Sequence, residues 1–145
     1  VEWENRGKGS LSHIAREKEF PIDPPRTLFL ELTSHCNMHC SFCPSDVLRR
    51  PKEHIDDIRV RRFIDQLHAL GIRVPILLNV LGEPLLNKRI YEYLDILEQA
   101  GHPVTLITNM LLLADKKVQR EILRHPNVTL ALSLQTCLLY TSPSP

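Results

Sequence analysis

Short apolar runs and longer amphipathic runs alternate along most of this chain. Four apolar runs predict β-strands, at residues 27–32, 75–81, 104–107 and 128–132. Three runs with apolar residues at helical spacing predict α-helices between these strands. The first helix is predicted at residues 57–70 and the third at about residues 114–123. The second is predicted to begin after Asn87, its N-cap, and to end at Gly101. This order requires right-handed crossovers and a parallel sheet. The predicted fold class is therefore α/β.

The composition limits the size of the core and the classes of partner. With 145 residues, 43% of them hydrophobic, the chain can bury one core and forms at most one domain. Lys and Arg total 18 against 17 Asp and Glu, so no basic excess indicates a nucleic acid partner. No apolar run is long enough to span a bilayer and no charged-then-apolar leader opens the sequence. These features favour a cytoplasmic protein without a membrane partner.

Three cysteines lie close together in the segment SHCNMHCSFCP, which follows the first predicted strand. Cys36, Cys40 and Cys43 have the spacing C-x3-C-x2-C. A disulfide between any two would leave the third alone, whereas a loop this short can place all three thiolates around one inorganic centre. Iron-sulfur clusters are held by cysteine thiolates, and a cluster of four irons with three protein ligands keeps one iron open.

A zinc site is the main alternative for the same cysteines. His35 and His39 flank them, so a Cys3His site is chemically possible in a zinc-binding interaction module. Structural zinc sites usually divide their ligands into two separated pairs, and here all the ligands would crowd into one turn. Buried thiols without a metal are disfavoured, because the neighbouring residues are mostly polar.

The cysteine spacing, with the aromatic Phe42 directly before the last cysteine, resembles the radical S-adenosylmethionine (radical SAM) superfamily. The resemblance covers about residues 27–135. It implies that the cysteines bind a [4Fe-4S] cluster whose open iron chelates S-adenosylmethionine. It also implies reductive cleavage of S-adenosylmethionine to a 5′-deoxyadenosyl radical that abstracts hydrogen from an unknown small-molecule or peptide substrate. An electron donor such as flavodoxin or ferredoxin would be a partner.

The resemblance also extends the fold prediction to a partial (β/α) TIM-type barrel with parallel strands, truncated after about the fourth strand. Polar residues follow the later strands, at the edge where the carboxyl ends of parallel strands meet. The candidate residues after these strands, most of which match family motifs, are expected to bind the cofactor together with Phe42: Gly82, Glu83, Pro84, Thr108, Asn109, Ser133 and Gln135. Leu81 and Met110 stand where the family motifs Gly-Gly-Glu-Pro and Thr-Asn-Gly have a glycine.

The resemblance implies a role for several of these residues. Backbone near Phe42 would meet the adenine, Glu83 would receive the methionyl ammonium, and Thr108 and Ser133 would meet the ribose or the carboxylate. No catalytic residue beyond the cluster and the cofactor is expected. The charge of Glu83 suits a cation, because charge-assisted hydrogen bonds are among the stronger ones.

The two ends of the chain are interpreted separately from the radical SAM core at residues 27–136. Residues 1–26 contain few apolar residues and three prolines and are interpreted as a lead-in segment. Residues 137–145, CLLYTSPSP, match one translated frame of a transposon-type sequencing adapter. We therefore expect them to be an artefact and exclude Cys137 as a cluster ligand. A second alternative follows, in which the chain is a truncated fragment without catalytic activity.

Overall fold

The four predicted strands form one parallel sheet in a computed structural model that describes residues 25–133. Along the sheet their order is the order of the sequence, and the bounds are β1 (Leu28–Phe29), β2 (Ile76–Leu78), β3 (Val104–Thr108) and β4 (Val128–Leu132). All three neighbouring pairs are parallel. The predicted α/β fold is confirmed, and the arrangement is that of a partial TIM-type barrel.

Three helices connect the strands, with the bounds α1 (Asp57–Ala69), α2 (Ile90–Gln99) and α3 (Lys116–Leu123). Short 3-10 helices at Pro44–Asp46, Pro84–Leu86 and Leu111–Ala114 follow the first three strands. Side chains of Asp56 and Asp115 cap α1 and α3, because each carboxylate accepts a hydrogen bond from a free backbone N–H of the first turn.

The prediction that Asn87 caps α2 is wrong. The helix begins at Ile90, and Arg89 occupies the N-cap position without a capping hydrogen bond from its side chain. The buried Asn87 side chain instead donates to the Leu32 carbonyl at 2.8 Å and accepts from the Arg89 N–H at 3.0 Å. Its amide is therefore used to join the loop before α2 to the end of the first apolar run.

The first two strands are shorter than predicted. The Leu30 N–H still donates to the Leu77 carbonyl at 2.9 Å, and beyond it the chain leaves the sheet. Thr33 then forms an isolated antiparallel bridge with His54. Leu30 and Leu32 remain buried although they lie beyond the end of β1. The apolar run therefore predicted which residues are buried, but not where the strand ends.

One face of the sheet is covered by the helices, and the core lies between these layers. In β3 the residues Val104, Leu106 and Thr108 are buried, while Thr105 and Ile107 on the opposite face are partly exposed. The helices contribute Val60, Ile64 and Leu67 from α1, Ile90, Tyr93, Leu94 and Leu97 from α2, and Ile122 from α3. The carboxyl ends of the strands thus project from a well-packed base.

Three predictions lie wholly or mostly outside the described residues. Gln135 and the adapter-like segment 137–145 belong to this group, as does most of the lead-in segment 1–26. Among residues 25–133, no helix has the length and apolar character needed to cross a membrane.

Candidate active site at the carboxyl edge of the sheet

A cavity of about 360 Å³ opens at the carboxyl ends of the strands. Loops after all four strands contribute to its wall. Nine of the predicted site residues line it: Cys36, Cys40, Phe42, Cys43, Gly82, Glu83, Thr108, Asn109 and Ser133. Pro84 is buried at the start of a 3-10 helix and does not line the cavity. Side chains that are distant in the sequence therefore meet in one place, as expected for parallel strands.

The three cysteines are half-buried thiols, and no disulfide joins any of them within the described part of the chain. The Cys43 N–H donates to the Cys40 carbonyl at 3.0 Å and closes a turn between the last two. Among residues 25–133, no group of three His, Cys, Asp or Glu side chains could hold one metal ion. A four-iron cluster binds each cysteine to a different iron, so its ligands need not converge on one ion.

The surroundings of His35 do not favour the Cys3His zinc alternative, because its ring packs against another ring. The ring of His35 stacks on the ring of His54, with centroids 4.7 Å apart. Partial desolvation lowers the pKa of His54 below its ordinary value, and the nearby His35 and Lys88 lower it further. The neutral form of His54 is therefore favoured, and a neutral ring can stack on His35 without charge repulsion.

Gly82 lies directly beneath the backbone that leads into the cysteine loop. A Cβ at this position would lie 1.9 Å from the Thr33 carbonyl oxygen and 2.9 Å from that of His35. The next residue, Glu83, donates its N–H to the same His35 carbonyl at 2.8 Å. Only glycine permits this close approach of two backbones. Gly82 therefore sets the distance between the end of β2 and the cysteine loop.

Glu83 places a carboxylate in the wall of the cavity with only 2% of its surface exposed. Its Oε1 accepts from the Thr108 hydroxyl at 2.9 Å, and its Oε2 accepts from the Asn109 N–H at 2.8 Å. Among the described residues, no Lys, Arg or His side chain forms an ion pair with it. A buried carboxylate held by neutral donors still favours a cation close by.

The turn after β3 keeps a glycine-like conformation without a glycine. Met110 has φ 74° and ψ −17°, in the left-handed region. Its N–H donates to the Thr108 hydroxyl at 3.2 Å, and the Leu111 N–H donates to Asn109 Oδ1 at 3.1 Å. These two hydrogen bonds to side chains stabilise the turn, in a conformation that glycine would adopt without strain.

Replacing Met110 with glycine is expected to stabilise the protein by about 1 kcal/mol. A residue with a Cβ in the left-handed conformation costs roughly 1–2 kcal/mol, and glycine removes this strain. Part of the stabilisation is lost again, because glycine has a greater conformational entropy in the unfolded state. Urea denaturation would measure the change. Leu111→Gly is the matched control, since Met110 is the one non-glycine residue with positive φ among residues 25–133. Leu111→Gly should destabilise. A loss of stability of similar size in both variants would contradict the strain at Met110.

Asn79 also lines the cavity, although it is not among the site residues predicted from the sequence. Its Oδ1 is buried and has no hydrogen-bond partner among the described residues. The available signal was a single polar residue inside the otherwise apolar run 75–81. An unpaired buried acceptor costs about 1–3 kcal/mol, so a donor group on a bound molecule would be stabilised here.

Comparison with known proteins identifies the family to which these features belong. The family model of the Radical SAM superfamily matches residues 30–138. The AdoMet-dependent heme synthase of Methanosarcina barkeri is 32% identical over 97 residues, which are 66% of this chain and 27% of that protein. The chain thus spans about a quarter of the length of this curated relative.

Two solved structures have a similar fold. Streptococcus suis SuiB bound to S-adenosylmethionine matches with a TM-score of 0.66 and 26% identity, over 86% of this chain and 29% of that one. BtrN in complex with AdoMet and 2-DOIA matches with a TM-score of 0.62 and 25% identity, over 69% of this chain and 42% of that one. Because the family model matches residues 30–138, which are most of its length, the chain belongs to the radical SAM superfamily of enzymes.

Proposed function

We propose that this chain carries the site at which a radical SAM enzyme binds a [4Fe-4S] cluster and cleaves S-adenosylmethionine to a 5′-deoxyadenosyl radical. The observation that carries the proposal is the common cavity of Cys36, Cys40, Cys43 and the buried Glu83. Thiolates and a cation-binding carboxylate are the two donor types that the cluster and the cofactor require. The radical would then abstract hydrogen from the substrate.

The donor set fits the cluster. Cys36, Cys40 and Cys43 are soft thiol ligands on the wall of one cavity, and none is consumed by a disulfide in the described residues. They would each hold one iron. When bound, the cluster supplies the electron for reductive cleavage of the sulfonium. The chain itself contributes binding, orientation and exclusion of water.

Glu83 would receive the ammonium of the methionyl group. The Thr108 hydroxyl and the Asn109 N–H each bind a different carboxylate oxygen, so they orient it toward the cavity before any ligand arrives. A cation at this position would gain a charge-assisted hydrogen bond in a largely buried environment. Thr108 is 1% exposed, and its hydroxyl already donates to Glu83 and accepts from Met110. We therefore propose that Thr108 acts mainly by orienting Glu83.

The remaining cavity residues would bind the other parts of the cofactor. Backbone near the exposed Phe42 would meet the adenine, and Ser133 would meet the ribose or the carboxylate. The Ser133 N–H donates to the Thr108 carbonyl at 2.8 Å, so the backbone of Ser133 is held next to Thr108, the residue whose hydroxyl binds Glu83. Gln135 remains a predicted cofactor contact.

The substrate class stays open between small molecules and peptides. The relatives differ here, since one is a heme synthase, one was solved with 2-DOIA and another was solved with a precursor peptide. An electron donor such as flavodoxin or ferredoxin would complete the reaction.

Anaerobic reconstitution with iron and sulfide distinguishes the cluster from the zinc alternative. We expect the purified gene product to turn brown and to bind about four irons per chain. A colourless protein that carries one zinc per chain would instead support the Cys3His module. A folded protein that takes up neither metal would overturn the proposed function.

Glu83→Gln is expected to weaken binding of S-adenosylmethionine by roughly 10- to 100-fold, because a hydrogen bond to a charged group contributes about 1.5–3 kcal/mol. Titration calorimetry on the cluster-loaded protein would measure the affinity. Glu92→Gln is the control, since Glu92 is a carboxylate on α2 that pairs with Arg89 outside the cavity. Equal affinities for the two variants, with equal iron content, would show that Glu83 does not meet the ammonium.

A further inference from the structure

The side chain of Asn109 points to a role beyond contact with S-adenosylmethionine. Its Nδ2 lies 3.9 Å from Cys36 Sγ, within the range of a hydrogen bond to sulfur, and 2.7 Å from Asn37 Oδ1. An amide nitrogen carries two hydrogens, so it can serve both acceptors. Asn109 therefore connects the turn after β3 to Cys36, the first cysteine of the cysteine loop.

The orientation of this amide follows from its other bond. Asn109 Oδ1 accepts from the Leu111 N–H at 3.1 Å, inside the same turn. A flipped amide would place its nitrogen against the Leu111 N–H and its oxygen against Asn37 Oδ1, so both contacts would become repulsive. The nitrogen is thus the atom that faces Cys36.

A donor at a ligating sulfur changes the electron affinity of a cluster. Reduction adds negative charge that the thiolate sulfurs share, and an N–H dipole directed at the sulfur stabilises that added charge. Hydrogen bonds to the sulfurs are among the factors that set iron-sulfur potentials. Removing such a bond is expected to move the potential to a more negative value.

We propose that Asn109 is a positioning residue that donates an N–H···S hydrogen bond to Cys36 and raises the reduction potential of the cluster. This inference rests on the proposed function, because it needs the cluster at Cys36. The backbone N–H of the same residue binds Glu83 Oε2 at 2.8 Å. One residue thus contacts both a cluster ligand and the carboxylate proposed to bind the ammonium.

The test is a redox titration of the reconstituted cluster, followed by electron paramagnetic resonance, in the full-length gene product. Asn109→Ser is the main variant, because a serine hydroxyl can still accept from the N–H two residues on but is too short to reach the position of Nδ2. Asn109→Leu is a second variant that removes the donor without adding charge. Asn37→Ala is the control, since it removes the neighbouring acceptor and leaves Asn109 in place.

We expect both Asn109 variants to bind the wild-type amount of iron and to show a more negative midpoint potential, while Asn37→Ala keeps the wild-type potential. Unchanged potentials in iron-loaded Asn109 variants would overturn the inference and leave the proposed function intact. An equal shift in Asn37→Ala would also overturn it, because the cause would then be movement of the loop. A wild-type protein that binds no iron would overturn both proposals.

Discussion

We expect the Cys40→Ala protein to carry almost no iron after reconstitution and to form no detectable 5′-deoxyadenosine. A [4Fe-4S] cluster would then have two cysteine ligands in place of three, and we expect two ligands to hold it too weakly for it to stay bound. Iron and sulfide analysis together with the visible absorption would measure the loss. Circular dichroism would show that the fold is retained.

Ser41→Ala is the matched control in the same loop. Ser41 lies next to Cys40 and is exposed, and it is absent from the lining of the cavity. Its replacement should leave the iron content at the wild-type level. Cleavage of S-adenosylmethionine that persists in Cys40→Ala would refute the assignment of Cys40 as a ligand.

Gly82→Ala is expected to destabilise the protein by about 1–3 kcal/mol or more, the usual cost of forcing extra atoms into packed structure. The added Cβ would lie 1.9 Å from the Thr33 carbonyl oxygen, and the obstructing atoms belong to the backbone. Either the end of β2 or the start of the cysteine loop must therefore move. We expect a lower melting temperature and reduced iron content, measured by circular dichroism and by iron analysis.

Gly71→Ala separates this overlap from the general cost of losing a glycine. Gly71 has φ 66° and no atom within 4 Å of the position of a Cβ. Its replacement should cost about 1–2 kcal/mol through backbone strain alone and should leave iron content unchanged. If Gly82→Ala kept full iron content and were no less stable than Gly71→Ala, the close approach at Gly82 would not matter for the site.

The order and direction of the strands could be predicted because they depend on alternating apolar periods and on the handedness of crossovers. The predicted bounds of β3 and β4 agree with the structure to within one residue, whereas the lengths of β1 and β2 could not be predicted, since a ladder needs hydrogen-bonding neighbours as well as apolar residues. Leu30 and Leu32 show the difference, because both are buried beyond the end of β1. The prediction that Asn87 is an N-cap was wrong because of a contact that is distant in the sequence. Its amide donates to the Leu32 carbonyl instead of capping the helix.

The residues that line the site could be predicted better than the hydrogen bonds between them. Cysteine spacing and polar residues at strand ends identify which residues meet, because parallel topology brings strand ends together. Pairwise contacts across loops leave no such pattern. The bonds from Thr108 and Asn109 to Glu83 and the buried, unpaired Oδ1 of Asn79 became visible only in three dimensions. Likewise, Met110 adopts the left-handed conformation that its residue type would argue against.

The most direct measurement is the release of 5′-deoxyadenosine from S-adenosylmethionine by the anaerobically reconstituted and reduced protein, quantified by mass spectrometry. We expect formation of 5′-deoxyadenosine that requires both iron and reductant and that is absent in Cys40→Ala. A folded, iron-loaded and reduced full-length protein that binds S-adenosylmethionine but releases no 5′-deoxyadenosine would contradict the proposed radical chemistry.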